Sequence, residues 1–295
     1  MTFIEQLSTV KIDEPMSEHS SFKIGGKADY YIEVESVAAL QHTLNLCKEF
    51  NIPYFIIGNG SNLLISDAGI EGLVIRLTGA FTSIELLDGN RIKCGAGALL
   101  SKLCAFALSN SLSGLEFAWG IPGSAGGAAF MNAGAYGGEM KQVLIGCEHI
   151  DTSGKLGSFT AEELQLSYRH SIYSENKYII TSLLLELKQG EKEAIKAEME
   201  KFMGSRKEKQ PLEFPSAGSV FKRPEGYFAG TMIQECGLKG ASIGGAQVSE
   251  KHAGFIINKG GASCRDVEAL VQKIQDEVKA KKGVCLECEI RKVGR

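Results

Sequence analysis

The chain has 295 residues, of which 44% are hydrophobic and 23% are charged, and its formal net charge is −3. This composition excludes disordered, collagen-like and coiled-coil chains, and the length predicts two or three domains. No apolar run is long enough to span a membrane, and the N-terminal residues lack the basic and apolar regions of a signal peptide, so we expect a cytoplasmic protein. Lys and Arg form no dense block, so we expect its partners to be small molecules rather than nucleic acid or membrane.

Hydrophobic periodicity predicts an α+β fold that opens with a β-α-β unit. Residues 29–35 alternate apolar and polar side chains as a half-buried strand does, residues 37–50 have helical spacing, and residues 52–58 form a short buried strand. Further strands are predicted at 63–66, 72–77, 83–88, 91–96, 178–187, near 246 and 255, and at 284–293, and further helices at 99–111, 190–210, 229–237 and 264–283. The charged helix after residue 190 predicts a domain boundary there.

The eight cysteines are scattered along the chain, and we expect them to be reduced. Cys285 and Cys288 form a CxxC pattern on the last predicted strand, where residues three apart point to opposite faces. No two histidines have the spacing of metal ligands on a helix. The sequence therefore predicts no metal site.

Glycine is enriched to about 12% of the chain, against about 7% in average proteins, and it clusters in residues 56–62, 94–98 and 119–139. The first cluster contains GNGSN, residues 58–62, between two predicted strands. Its backbone N–H groups can approach an anion without obstruction, and Ser61 and Asn62 add side-chain donors. A phosphate site and a tight turn that needs glycine are equally compatible with this loop alone.

The cluster at 119–139 contains IPGSAGGA, which predicts a short helix after Pro122 with its N-terminus against a ligand. NAGAYGG follows directly. Two loops without bulky or charged side chains indicate a long, polyphosphate-containing ligand, and close β-packing is the alternative. The pattern is neither the dinucleotide fingerprint, because Leu63 replaces its third glycine and no helix follows, nor a Walker A loop.

Three polar residues are candidates for chemistry. Arg169, in LSYRHSIY, offers a planar fork for a carboxylate or an enolate, and a solvated surface cation is the alternative. Ser219, in PSAGSVFKRP, is not in a GxSxG nucleophile elbow, so a hydrolase triad is not expected. On the last predicted strand Glu289 shares a face with Glu287 and Arg291, where most glutamates simply face water.

The motifs GNGSN, IPGSAGGAAFMNAGAYGGE, SYRHSIY, PSAGSVFKRP, GLKGASIGGAQVSEKHAGFIIN and LECEIRKVG resemble, in the same order from about residue 20 to the C-terminus, the UDP-N-acetylenolpyruvoylglucosamine reductase family of bacterial peptidoglycan synthesis. YRHSIY runs directly into SENKYII, without an inserted substrate-capping tyrosine loop, which indicates the shorter, type II subgroup. The resemblance implies an FAD-binding region of the vanillyl-alcohol-oxidase (PCMH) type in two subdomains, residues 1–75 and 76–190, and a C-terminal α+β substrate domain, residues 191–295.

The resemblance also implies an enzyme that carries hydride from NADPH through FAD to UDP-N-acetylglucosamine enolpyruvate, giving UDP-N-acetylmuramate. We expect this enzyme to be a monomer. Related flavoproteins often attach FAD covalently to a histidine near the first glycine loop. Because no histidine lies between residues 55 and 70, the FAD is expected to be noncovalent. The residues expected to bind FAD are Gly58, Asn59, Gly60, Ser61, Asn62, Pro122, Gly123, Ser124, Gly126 and Gly127.

By the same resemblance, Arg169, with Glu289 as a protonated acid, stabilises an enolate, and Ser219 delivers the proton. The residues expected to bind substrate are Tyr168, Lys209, Arg223 and His252. Arg223 stands where some members carry Asn. Two alternatives remain open, a flavin oxidase of the same fold that uses O2 and a non-catalytic nucleotide-binding module.

Overall fold

The computed structural model describes residues 2–7 and 9–295. The chain divides into two compact units, each built from discontinuous stretches of sequence. Unit 1 comprises residues 1–11, 31–59 and 73–205, and unit 2 comprises residues 12–30, 60–72 and 206–295. Among the described residues, no helix is long and apolar enough to cross a membrane.

The described residues form six α-helices, which are α1 (Val37–Glu49), α2 (Leu100–Ser109), α3 (Ala125–Phe130), α4 (Lys192–Lys209), α5 (Ala229–Glu235) and α6 (Cys264–Lys282). The strands are β1 (Lys11–Pro15), β2 (Lys27–Val34), β3 (Tyr54–Ile57), β4 (Leu63–Ile65), β5 (Ile70–Leu77), β6 (Ile84–Leu87), β7 (Arg91–Gly95), β8 (Leu112–Ser113), β9 (Gly134–Ala135), β10 (Gly138–Glu139), β11 (Leu144–Ile150), β12 (Leu156–Thr160), β13 (Ile179–Glu186), β14 (Lys188–Gln189), β15 (Ser216–Ser219), β16 (Ser242–Ile243), β17 (Ala246–Val248), β18 (Phe255–Asn258) and β19 (Arg291–Val293).

The predicted β-α-β opening is present as β2, α1 and β3. Helix α1 begins where Ser36 Oγ accepts a hydrogen bond from the Ala39 N–H at 3.2 Å, because this side chain satisfies one of the N–H groups that a helix start leaves unpaired. Strand β3 pairs in parallel with β5, in a four-stranded sheet of order β1-β2-β5-β3. The chain leaves this sheet at Gly58, where the first glycine loop begins.

Unit 1 also contains a five-stranded antiparallel sheet of order β12-β11-β13-β7-β6. Its central strand β13 carries five buried residues in a row, Ile179–Leu183, because both faces of the strand are covered. Helix α3 packs against this strand. The sheet therefore supports the short helix that follows the second glycine loop.

Unit 2 is built around helix α6 and the antiparallel sheet β15-β18-β17-β16. Val267, Leu270, Ile274 and Val278 recur at helical spacing, and all four are fully buried. The helix starts with a reciprocal capping box between Ser263 and Asp266 and ends before a left-handed glycine. Helix α6 contacts β16 and β17, and its buried side chains belong to the same apolar cluster as Ala217 and Val220, which flank Gly218 and Ser219.

The prediction of a last strand over residues 284–293 is wrong for most of these residues. Regular strand structure is confined to Arg291–Val293, which pairs in parallel with β4. Residues 284–290 instead follow the segment after β15, with one isolated bridge between Phe221 and Cys288. The even alternation expected to put Glu287, Glu289 and Arg291 on one face therefore does not extend through these residues, and both Cys285 and Cys288 are exposed.

Candidate active site

In unit 1 the first two residues of GNGSN lie against the second glycine loop. The Asn59 side-chain N–H donates to the Pro122 carbonyl at 2.6 Å. A Cβ added at Gly58 would overlap Ser124 Oγ, so any other residue here would displace that hydroxyl. The two loops that the sequence singled out separately thus meet at residues 58–59 and 122–124.

Ser124 shapes this meeting point. Its hydroxyl accepts the Gly127 N–H at 3.2 Å and caps helix α3. The N–H groups of Ala125 and Gly126 donate at 2.8 Å to the carbonyls of Ala98 and Ala96, and a Cβ at Gly126 would lie 2.8 Å from the Ala96 Cβ. The small residues of this run therefore serve close packing within unit 1, as the alternative interpretation expected.

Other N–H groups of these loops are not used by the protein. Among the described residues, those of Asn59, Gly123 and Ser124 in unit 1 donate to no protein acceptor, and the same holds for Gly60 and Ser61 in unit 2. Backbone donors without neighbouring bulk or negative charge are what a diphosphate requires. The residues present in each unit therefore fit the diphosphate of a dinucleotide such as FAD.

The second half of GNGSN belongs to unit 2. Gly60 has φ +60°, and a Cβ there would overlap the carbonyl of His19. The Asn62 side-chain N–H donates to the Glu289 carbonyl at 3.2 Å, and the Asn62 carbonyl accepts the Arg291 N–H at 2.9 Å. Glu289 is thus attached to the loop by its main chain.

Ser219 lies beside Glu289 in unit 2. Gly218, with φ +79°, marks an irregularity in the pairing of β15 with β18, after which Ser219 stands opposite Phe255. The next residue, Val220, donates its N–H to the Gly254 carbonyl at 2.9 Å and accepts the Glu289 N–H at 2.7 Å. The bulge and these two bonds bring Ser219, Glu289 and Asn62 into one local framework.

Arg169 lies at the tip of a tight turn in unit 1. The Ser167 N–H donates to the His170 carbonyl at 3.2 Å and the His170 N–H donates to the Ser167 carbonyl at 3.1 Å. Arg169 has φ +56°, a left-handed conformation that favours glycine, and its Cζ lies 5.2 Å from the centre of the Tyr168 ring. A residue with a Cβ is less stable in this conformation than glycine.

The remaining substrate candidates lie in unit 2 or flank Arg169. Tyr168 is exposed, and Lys209 is the exposed last residue of α4. Arg223 Cζ lies 4.0 Å above the Phe228 ring, close enough for a cation–π contact. His252 Nδ1 accepts the Gly254 N–H at 3.1 Å, and burial lowers the pKa of His252.

His252 is near Ser219. A Cβ added at Gly254 would lie 3.1 Å from His252 Nδ1 and 3.4 Å from Ser219 Oγ, so the ring and the hydroxyl flank the same glycine. Because Nδ1 accepts a hydrogen bond, the neutral ring carries its proton on Nε2. This proximity was not predictable from the 33 positions that separate the two residues.

One buried residue of this region was missed by sequence reasoning. Asn132, in the NAGAYGG motif, is 1% exposed, and both ends of its carboxamide are hydrogen bonded. The motif looked like a second backbone cradle because of its glycines. A polar residue among small apolar ones was the signal that could have distinguished Asn132.

The cysteines and other potential ligands form no further centre. All eight cysteines lie among the described residues and are free, six of them buried, and burial raises the pKa of Cys47 to about 11 and that of Cys94 to about 12. Across residues 2–7 and 9–295 no group of three His, Cys, Asp or Glu side chains lies where it could hold a metal ion.

Comparisons with known proteins give the class first. Residues 28–160 match the family model described as "FAD binding domain". A solved structure of Physcomitrella patens BBE-like 1 superposes with a TM-score of 0.50 at 13% identity, covering 64% of this chain and 45% of that one, which shows a common fold. The chain contains an FAD-binding domain, and the predicted α+β fold with an FAD-binding region of the vanillyl-alcohol-oxidase (PCMH) type is confirmed.

The family follows from closer relatives. Residues 210–293 match the model "UDP-N-acetylenolpyruvoylglucosamine reductase, C-terminal domain". A UDP-N-acetylenolpyruvoylglucosamine reductase of Clostridium perfringens is 49% identical over 97% of this chain and 93% of its own length. The crystal structure of UDP-N-acetylenolpyruvylglucosamine reductase (MurB) from Thermus caldophilus superposes with a TM-score of 0.83 at 36% identity, covering 96% and 97% of the two chains. This chain belongs to the UDP-N-acetylenolpyruvoylglucosamine reductase family, as its motifs predicted, and it is therefore an FAD-dependent oxidoreductase.

Proposed function

We propose that this protein reduces UDP-N-acetylglucosamine enolpyruvate to UDP-N-acetylmuramate with NADPH as the reductant. The observation that carries the proposal is the 49% identity to a UDP-N-acetylenolpyruvoylglucosamine reductase over 97% of the chain. The two family models cover residues 28–160 and 210–293, which include both glycine loops, Ser219 and Glu289. The product is a peptidoglycan precursor, so the protein acts in cell-wall synthesis and, through it, in cell shape and division. We propose a cytoplasmic monomer as its working form.

FAD is held by backbone N–H groups of both glycine loops. The donors that the protein leaves unused, at residues 59–61 and 123–124, are the first choice for its diphosphate. Pro122, Ser124, Gly126 and Gly127 shape the second loop, and Asn62 orders the first through its bond to the Glu289 carbonyl. When bound, FAD passes hydride from NADPH to the substrate, and the protein supplies position and electrostatics.

Arg169 and Glu289 stabilise the charge that develops on the substrate. Hydride addition to the terminal carbon of the enolpyruvyl group leaves negative charge delocalised from the neighbouring carbon into the carboxylate. The guanidinium of Arg169 offers a planar, permanently charged fork for that enolate. The two hydrogen bonds between Ser167 and His170 support this role, because they fix the main chain on both sides of Arg169.

Ser219 delivers the proton to the enolate carbon. A hydroxyl is a weak acid, but a carbanion-like intermediate is basic enough to take its proton. The bonds from Val220 to Gly254 and Glu289 support this assignment, because they fix the main chain next to the hydroxyl. Tyr168, Lys209, Arg223 and His252 bind the rest of the substrate, and Arg223 replaces the Asn of some relatives.

The experiment begins with the absorbance spectrum of the purified protein. We expect noncovalent flavin, released on denaturation, and NADPH oxidation that depends on UDP-N-acetylglucosamine enolpyruvate, with stoichiometric formation of UDP-N-acetylmuramate. Peroxide formation with alcohol substrates and no response to the enolpyruvyl compound would instead support an oxidase of the same fold. A colourless protein that takes up no added FAD would support a nucleotide-binding module.

A further inference from the structure

Asn132 makes three hydrogen bonds with its side chain. Its Nδ2 donates to the Ser167 carbonyl and to Glu139 Oε2, both at 2.9 Å, and its Oδ1 accepts the Lys141 N–H at 2.9 Å. With 1% of its surface exposed, the carboxamide is fully paired in a buried position. Such a group holds its partners firmly, because breaking any of the bonds leaves a buried polar atom unpaired.

The Ser167 carbonyl is the acceptor that closes the Arg169 turn. Its oxygen accepts hydrogen bonds from both the Asn132 side-chain amide and the His170 N–H. Beyond the turn, Ser171 is fully buried and its hydroxyl donates to the Phe130 carbonyl at 2.7 Å. The turn is therefore fastened on both sides to residues 130–132, the end of helix α3.

This fastening opposes the strain of the turn. Arg169 in a left-handed conformation would relax if the closing bonds were free to lengthen, since that conformation is unfavourable for a residue with a Cβ. Asn132 itself has φ +42°, a region that Asn tolerates better than most residues. Hydrogen bonds of buried groups thus offset the conformational free energy of the strained turn.

We propose that Asn132 is a positioning residue that holds the Arg169 guanidinium in place for the substrate carboxylate. The inference rests on the proposed function, because it presupposes that Arg169 stabilises the enolate. It gives the NAGAYGG motif a role that differs from cradling a phosphate. In this role Asn132 acts through its hydrogen bond to the turn.

The test uses the FAD-loaded enzyme and the variant Asn132→Gly, which suits the left-handed backbone and removes the side chain. Stopped-flow spectroscopy under anaerobic conditions measures flavin reduction by NADPH and flavin reoxidation by UDP-N-acetylglucosamine enolpyruvate. We expect reoxidation to slow about tenfold, as for loss of a buried hydrogen bond, with reduction unchanged within about twofold. Asn51→Gly, at an exposed position with φ +54°, is the matched control and should leave both rates unchanged.

A second readout does not depend on activity. Hydrogen exchange followed by mass spectrometry on the protein without FAD should be faster in Asn132→Gly over residues 165–175 and unchanged over the β11–β12 hairpin. If Asn132→Gly does not fold or retain FAD, Asn132→Asp keeps the size and the Oδ1 acceptor but loses the donors to Ser167 and Glu139. The same reoxidation defect is expected for it.

A double-mutant cycle with Arg169→Lys separates the two proposals. If Asn132 acts through Arg169, Asn132→Gly should cost less than about threefold in the Arg169→Lys background. Fully additive effects, equal loss in both half-reactions, or unchanged exchange over residues 165–175 would overturn the inference. An unchanged reoxidation rate in Arg169→Lys and Arg169→Ala would instead overturn the proposed role of Arg169, and the exchange data would still report whether Asn132 holds the turn.

Discussion

The N–H of Glu289 donates to the carbonyl of Val220 at 2.7 Å, which fixes the main chain of the proposed acid next to that of the proposed proton donor. Val220 follows Ser219 directly, and its own N–H is bonded to Gly254. A displacement of either segment is therefore transmitted to the other. As the proposed mechanism requires, this bond keeps two main-chain segments close together although they lie about 70 positions apart in the sequence.

Ser219→Ala should separate the two halves of the reaction. Flavin reduction by NADPH should be nearly unchanged, because the hydroxyl has no part in it, whereas reoxidation by the enolpyruvyl substrate should slow about a hundredfold through loss of the proton donor. Stopped-flow absorbance of the flavin measures both rates. Ser216→Ala, on the same strand, is the control, and equal losses in both half-reactions of Ser219→Ala would contradict the assigned role.

Arg169→Gly should lower activity without lowering stability. Glycine relieves the left-handed strain but has more entropy in the unfolded chain, so the free energy of unfolding should be unchanged or rise by up to about 1 kcal/mol. The reoxidation barrier should rise by about 2.7 to 4 kcal/mol, as for an oxyanion-hole donor. Thermal unfolding and stopped-flow rates measure the two effects. Arg169→Lys keeps the strain and the charge, and it should lose less activity and gain no stability.

Gly58→Ala should weaken FAD binding. The new methyl group would overlap Ser124 Oγ, which accepts the Gly127 N–H and caps α3, so the second glycine loop has to move. We expect at least a tenfold weaker Kd for FAD, measured by flavin fluorescence during reconstitution of the apoprotein. Gly204→Ala, where a Cβ meets no atom within 4 Å, is the control. It should stabilise α4 by about 1 kcal/mol and leave the Kd unchanged.

His149 should make stability depend on pH. The ring is 4% exposed, its Nδ1 lies 3.0 Å from Tyr173 Oη, and burial lowers the pKa of His149. Below about pH 6.5 the unfolded chain binds a proton that the folded protein resists, so the free energy of unfolding should fall with pH from there down to the native pKa. One such group contributes a slope of up to about 1.4 kcal/mol per pH unit.

Urea unfolding of the protein and of His149→Asn between pH 5 and pH 7.5 measures this slope. The slope below pH 6.5 should decrease in His149→Asn, and His42→Asn, at an exposed position of α1, should leave it unchanged. An identical slope in all three proteins would show that His149 does not cause the pH dependence.

Local sequence determined much of the secondary structure and the position of the glycine loops. The β-α-β opening, α2 and α6 follow from hydrophobic periodicity and α4 from its charged composition, and side chains cap the first turns of α1 and α6. These signals act over a few positions. The strand predicted over residues 284–290 does not form, because these residues pair with the distant segment 220–222. Pairing with a single irregular segment does not impose a continuous β-strand. Alternation alone could not reveal that partner.

Motif order determined the family, and with it the expectation of FAD and of Arg169, Ser219 and Glu289 as functional residues. Tertiary structure alone decided how these residues are held. Contacts between residues far apart in the sequence determine four features of the site. These are the packing at Gly126, the bulge at Gly218, the strained turn at Arg169 and the buried hydrogen bonds of Asn132. Residue types and their spacing can be read from the sequence. Backbone strain and hydrogen-bond partners arise only in the folded chain, because they depend on residues that folding brings together.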